Sequence, residues 1–205
     1  MGATSLRRYT NLAAAIHLLR KRCLTLVDSI SWEDKNDAYF LAQYKKRVGA
    51  RSVLALCFAE APETFHHWWV FSSRTNGICI EFDKTRLLKA IGKDSSVMAR
   101  SVVYKEVKNV KLSPIGVEEL PFVKRFPYKD EREFRLLHVN HNSETDFHHI
   151  DIPLTCISRI TLSPWMHVNL ANETKHVLKD IKGCEKIKIY RSTLVNNEYW
   201  MKAAN

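Results

Sequence analysis

Asp130-Glu131-Arg132-Glu133-Phe134-Arg135-Leu136-Leu137 is the stretch on which the reading of this chain turns. In a strand, side chains alternate between two faces, so Glu131, Glu133 and Arg135 share one face while Phe134 and Leu136 take the other, toward a core. One surface then carries two carboxylates and an arginine. That surface suits chemistry at a sugar carbon, where one carboxylate holds a ribose hydroxyl and stabilises an oxocarbenium-like transition state while its neighbour handles the proton. It equally suits the solvated outer face of an edge strand, with Arg135 paired to a glutamate for little net stability.

Around this stretch the chain reads as strands mixed with short helices. Strands are expected at 6–9, 24–27, 53–58, 78–82, 97–104, 131–139, 147–154, 157–162 and 186–190. Helices are expected at 12–22, capped by Thr10 or Asn11, and at 38–48, capped by Asp37 and ended by Gly49. Others are expected at 64–72, after Asp83 as far as Gly92, and at 170–182 before Gly183. Val53-Leu54-Ala55-Leu56-Cys57-Phe58 is continuously apolar, as a strand in a sheet centre with both faces covered should be. The stretch 105–128, broken by Pro114, Pro121 and Pro127, shows no clear period. Without regular βαβ alternation the pattern predicts an α+β fold with mixed or antiparallel sheets. No repeat, low-complexity tract or linker divides it, so 1–205 reads as a single compact domain.

At 45% hydrophobic residues, the 205-residue chain can bury a core and is neither disordered nor fibrous. Its 32 Lys plus Arg against 22 Asp plus Glu give a formal charge of +10, which biases encounters toward polyanions such as nucleic acids and dinucleotides. Five cysteines without Cys-x-x-Cys spacing predict reduced thiols in a cytoplasmic protein. No apolar stretch is long enough to span a bilayer, so no membrane partner is expected. Arg7, Arg8, Arg20 and Arg22 around the apolar segment 13–19, with no acid before Asp28, resemble a transit peptide. With no cleavage site or linker behind it, that segment is read instead as a helix of the fold.

Six glycines, at 2, 49, 77, 92, 116 and 183, leave no place for Gly-x-Gly-x-x-Gly or a phosphate-cradling loop ending Gly-Lys-Ser/Thr. A Rossmann dehydrogenase and a P-loop NTPase are thereby excluded, and Gly-x-Ser-x-Gly is missing as well. His66, His67, His138, His141, His148 and His149 fit neither His-Glu-x-x-His nor a finger spacing. They are read as surface or packing histidines, and no metal site is expected.

Three further constellations accompany the glutamates. Trp68 and Phe71 lie three apart on a helix just before the Asn76-Gly77 turn, and aromatic rings there can stack a nicotinamide or a base. Phe71 is assigned to the core, with Trp68 open to a ligand. Asn36 and Asp37 precede a helix and can simply cap it. Arg8-Tyr9-Thr10 ends the first strand, where Arg8 can grip a phosphate and the following helix N-terminus adds its dipole.

In this order, these pieces resemble a bacterial family known as domain of unknown function 2971, whose members show a Tyr-rich first strand, Asn-Asp, Trp-x-x-Tyr then Gly, and Glu-x-Glu-x-Arg. The matching residues are Arg8-Tyr9, Asn36-Asp37, Trp68 with Phe71 and Gly77, and Glu131, Glu133 and Arg135. Phe71 stands where the family commonly has Tyr, and Ala38 where it has Pro. More distantly, Tyr9-Thr10-Asn11-Leu12 and the late glutamates are similar to the ADP-ribosyltransferase fold of nucleic-acid-modifying toxins, a fold that binds NAD without a Gly-rich loop or metal.

That similarity implies an NAD-dependent ADP-ribosyltransferase or NAD glycohydrolase, a toxin or phage-defence effector acting on a nucleic-acid or protein acceptor. Glu133 would hold the ribose hydroxyl and Glu131 steer the acceptor. NAD would bind through Arg8 on the pyrophosphate, Tyr9 or Trp68 on the nicotinamide, and Thr10 and Arg135, with Asn36 and Asp37 on the substrate. Two rivals stand beside it: a non-catalytic nucleic-acid or nucleotide binding module, and a metal-free nuclease using Glu131, Glu133 and histidines.

Overall fold

The computed structural model describes residues 3–204. In chain order these form β1 (Ser5–Asn11), α1 (Leu12–Lys21), β2 (Cys23–Asp28), α2 (Lys35–Arg47), β3 (Ser52–Ala59) and α3 (Phe65–Phe71). Next come β4 (Gly77–Asp83), α4 (Lys84–Ile91), β5 (Val97–Ser101), β6 (Val103–Lys105), α5 (Val107–Leu112) and β7 (Val123–Arg125). The last are β8 (Glu133–Asn140), β9 (Phe147–Asp151), β10 (Ile157–Leu162), α6 (Val168–Lys179), β11 (Ile189–Arg191) and α7 (Glu198–Lys202). The class is α+β, as expected.

Two compact units share the chain, one made of 1–23, 62–87 and 152–205, the other of 24–61 and 88–151. The chain passes between them at 23/24, 61/62, 87/88 and 151/152. Because each unit is assembled from separated stretches, no linker composition marks a boundary in the sequence.

The first unit carries strands in the order β11-β10-β4-β1. β1 and β10 run antiparallel to β4, and β11 runs parallel to β10. Asn11 caps α1 by accepting from the Ala14 N–H at 2.8 Å, removing one orphan donor of the first turn. Gly77 is required by a close approach, since a Cβ there would lie 2.5 Å from Ser72 Oγ.

The second unit carries β5-β8-β3-β2-β9, with the short parallel pair β6-β7 beside it. β3 is central, flanked antiparallel by β8 and β2, and its apolar run is buried except at Cys57. Against it pack Leu41 and Tyr44 of α2, Leu120 and Phe122, and Leu137 of β8.

Several expected elements shift for local reasons. Helix α2 begins at Lys35, three residues early, because Asp34 is its cap and accepts from the N–H groups of Asn36 and Asp37 at 3.0 and 3.4 Å. The strand expected at 97–104 is two strands interrupted at buried Val102, whose N–H bonds to the Glu133 carbonyl. The strand expected from Glu131 begins at Glu133, because Arg132 takes a left-handed conformation with φ +44°. Phe71, expected in the core, is exposed on α3, while Trp68 is fully buried. The helix turns His67 and Trp68 inward and leaves Phe71 on the far side.

Candidate active site

The head of β8 is a buried ion cluster within the second unit. Arg135, wholly buried, is its hub. Its Nη1 and Nη2 donate to the two carboxylate oxygens of Asp37 at 2.9 and 2.6 Å, and its Nε donates to Glu133 Oε1 at 2.7 Å. Nη1 also reaches the Pro121 carbonyl at 2.7 Å, and the Trp32 ring lies 5.1 Å from the guanidinium carbon. A fork-to-fork pair of this kind fixes orientation as well as charge.

A second cation, Lys124 of β7, closes the cluster. Its Nζ lies 2.7 Å from Glu131, 2.8 Å from Glu133 and 3.5 Å from Asp37. Three carboxylates face two cations, leaving −1 if all are ionised. The Tyr104 hydroxyl of β6 accepts the Glu133 backbone N–H at 2.8 Å and pins the start of the strand.

The two glutamates differ in proton affinity. Burial opposes charge on Glu133, but Arg135 and Lys124 outweigh it and hold the carboxyl down at about 2. Burial dominates at Glu131, whose carboxyl stays above its ordinary value despite Lys124. Lys124 is held charged, since Glu133, Asp37 and Glu131 outweigh the cost of burying it. Burial and then Glu133 push the Cys57 thiol up, so it is not a nucleophile.

Of the residues singled out in the sequence, Asp37, Glu131, Glu133 and Arg135 meet here. The strand alternation that placed Glu131 with Glu133 does not apply, because Glu131 precedes the strand, yet Lys124 draws both carboxylates together. Neither lies on the solvated edge face considered for them. Asn36 stays exposed and donates to Asp34 Oδ1 at 3.1 Å. Asp37 is buried rather than capping.

Arg8, Tyr9, Thr10 and Trp68 belong to the first unit. Trp68 Nε1 donates to Glu63 Oε1 at 2.6 Å, and Ser192 Oγ donates to the same oxygen at 2.5 Å. Tyr9 packs edge-on against Trp68 at 5.2 Å and stacks on the His67 ring at 5.4 Å. Its hydroxyl is buried beside the Cys79 thiol, a polar group that reaches it. Burial, with Cys79 and Glu63 nearby, raises its pKa well above the usual phenol value.

Sequence reading missed Lys124 and Glu63. Lys124 follows Leu120-Pro121-Phe122-Val123, and a lone lysine after an apolar run was the available signal. Asp37 shares a helical face with Leu41 and Tyr44, spaced four and seven, and that spacing marked it as inward-facing.

No family model and no curated protein matches the chain, so the resemblance to family 2971 rests on the motifs alone. Solved structures similar to it include DarT of Thermus sp. 2.9 in complex with ADP-ribosylated ssDNA. That match has a TM-score of 0.47 at 11% identity, covering 93% of this chain and 94% of that one. The same protein in complex with NAD+ gives 0.47 at 11%, over 93% and 96%. Its complex with carba-NAD+ gives 0.45 at 11%, over 93% and 96%.

Proposed function

We propose that this chain is an NAD-consuming enzyme, an ADP-ribosyltransferase or NAD glycohydrolase, with Glu133 and Glu131 as its reacting pair. The supporting observation is that two carboxylates on one ammonium have their proton affinities driven apart, Glu133 downward and Glu131 upward. Such a split divides an electrostatic stabiliser from a proton handler.

In this reading the C1′–N bond of NAD breaks and its electron pair leaves with neutral nicotinamide. Ionised Glu133 holds the ribose hydroxyl and stabilises the cationic sugar. One of its oxygens accepts from Arg135, the other from Lys124, and the Cys57 thiol bonds to the same carboxylate, which with about four lone-pair sites keeps capacity for a hydroxyl. An acceptor hydroxyl or water forms the new bond to C1′ and gives its proton to Glu131. Arg135 and Asp37 keep the pair in place. In the first unit, Trp68 is fully buried with its N–H committed to Glu63, and Tyr9 packs against it. Arg8 and Thr10, partly exposed on β1, are the members of that unit's proposed NAD-binding residues open to a ligand.

The +10 charge supports a polyanionic acceptor. The five free thiols fit a reducing compartment such as the cytoplasm. No described helix is long and apolar enough to cross a membrane. The test is nicotinamide release from NAD by wild type and Glu133→Gln, with and without DNA, RNA or lysate protein. Release by wild type alone supports the reading, and stimulation by one additive identifies the acceptor class.

A second reading, the non-catalytic binding module, is favoured by a different observation. Phe65 and Trp69 of α3 are exposed, and Trp165 packs edge-on against both at 5.5 and 5.9 Å. The Arg74 guanidinium lies 3.8 Å over Trp69. Exposed rings with a cation suit base stacking. Salt-dependent nucleic-acid binding with no loss of NAD would favour this module.

A further inference from the structure

We infer that Lys124 is the positioning residue of the site: its ammonium brings Glu131 and Glu133 together and sets the pH at which Glu131 takes a proton. This rests on the reading of the glutamates as the reacting pair, and nothing in the sequence motifs assigns the lysine.

The geometry carries it. Glu131 lies outside the strand and accepts from Lys124 Nζ at 2.7 Å. The same atom is 2.8 Å from Glu133 and 3.5 Å from Asp37. Arg135 is committed to Asp37, Glu133 and the Pro121 carbonyl. Of the two cations, therefore, Lys124 serves Glu131. The groups facing this atom come from every surrounding element: Asp37 on α2, Glu131 in the turn before β8, and Glu133 and Arg135 on β8. Cys57 of β3 lies against Glu133, and Tyr104 of β6 binds its backbone. The Tyr128 ring lies 5.5 Å from Nζ and covers it.

Two consequences follow from removing one positive charge among three carboxylates. Glu131 loses its ammonium contact and Arg135 alone is left to offset Glu133 and Asp37, so the proton affinity of Glu131 rises. Conversely, losing the lysine costs the fold most when Glu131 is ionised and least when it is protonated.

The experiment compares wild type, Lys124→Met, Lys124→Arg and the charge-balanced Lys124→Met/Glu131→Gln. The acid limb of the pH profile for nicotinamide release should move upward by about one pH unit or more in Lys124→Met. It should return close to the wild-type position in Lys124→Arg. A folded Lys124→Met with an unmoved limb and only a lower kcat overturns the inference. The second arm needs no turnover: the fall in Tm caused by Lys124→Met should shrink as pH drops through the titration of Glu131. On the Glu131→Gln background, that pH dependence should be gone above the acid range in which Glu133 titrates. A pH-independent fall in Tm overturns the inference. If Lys124→Met does not fold, Lys124→Met/Glu131→Gln must fold, and its failure to do so also overturns it. If wild type releases no nicotinamide, the enzymatic reading fails and the stability arm alone decides the role of Lys124.

Discussion

At the start of β8 buried charges are answered by opposite charges, whereas at its far end two imidazoles lie face to face. His138 of β8 and His148 of β9 stack at 3.7 Å with their planes 6° apart. Ser96 Oγ lies 2.9 Å from His138 Nδ1, and Asp94 accepts from His148 Nε2 at 2.7 Å. One strand thus carries permanent charge at one end and conditional charge at the other. Glu133 and Arg135 stay ionised at all moderate pH, while burial and the neighbouring His148 oppose a proton on His138. Acid should therefore loosen the histidine end first and the carboxylate end last.

The largest break in this contrast is Arg135→Met, which leaves Asp37 and Glu133 without the guanidinium they share. Removing one partner of a buried pair costs about 3–5 kcal/mol, and chemical denaturation should show a loss of at least that order. Glu133→Gln comes next. It should end nicotinamide release and also cost about 1–3 kcal/mol, because a neutral amide replaces the acceptor of two cations. A circular-dichroism spectrum matching wild type separates the chemical loss from unfolding. Since its carboxyl sits at about 2 in the folded state, the stabilisation from Glu133 is complete above the ordinary glutamate value. It should fall away as pH drops through that value toward 2, a dependence that Glu133→Gln abolishes.

The smallest effect belongs to the other end. Burial, and then the charge of His148, lower the His138 pKa. The unfolded chain therefore takes that proton first, and stability should decline as pH falls below the ordinary histidine value of 6.5 toward the lower folded value. His138→Phe, which retains a ring without a proton site, should flatten this part of a Tm-versus-pH curve. Asp94 contributes at lower pH. Burial opposes its charge, but bonds from Ser96 and His148 outweigh this and lower its pKa. Its stabilisation is lost only below the ordinary aspartate range.

How much of this was legible depended on whether local sequence set the geometry. β3 was readable because six consecutive apolar residues need two covered faces. α1 was readable through Asn11, a cap whose side chain is in sequence reach of the N–H it satisfies. Asp37 was misread as a cap because its true partner, Arg135, is 98 residues away. Lys124 was missed for the same reason, compounded by prolines that erase any period between 105 and 128. The paired glutamates were found on an argument that holds only from Glu133 onward, since Arg132 breaks the alternation. Charge clusters are made by tertiary contact, and a sequence announces their members without their pairing.

Nicotinamide release from NAD by purified wild type and Glu133→Gln, measured side by side, tests the central claim most directly. The account predicts release by wild type and none by the folded variant. Equal release by both, or none by either with every acceptor class supplied, would contradict it.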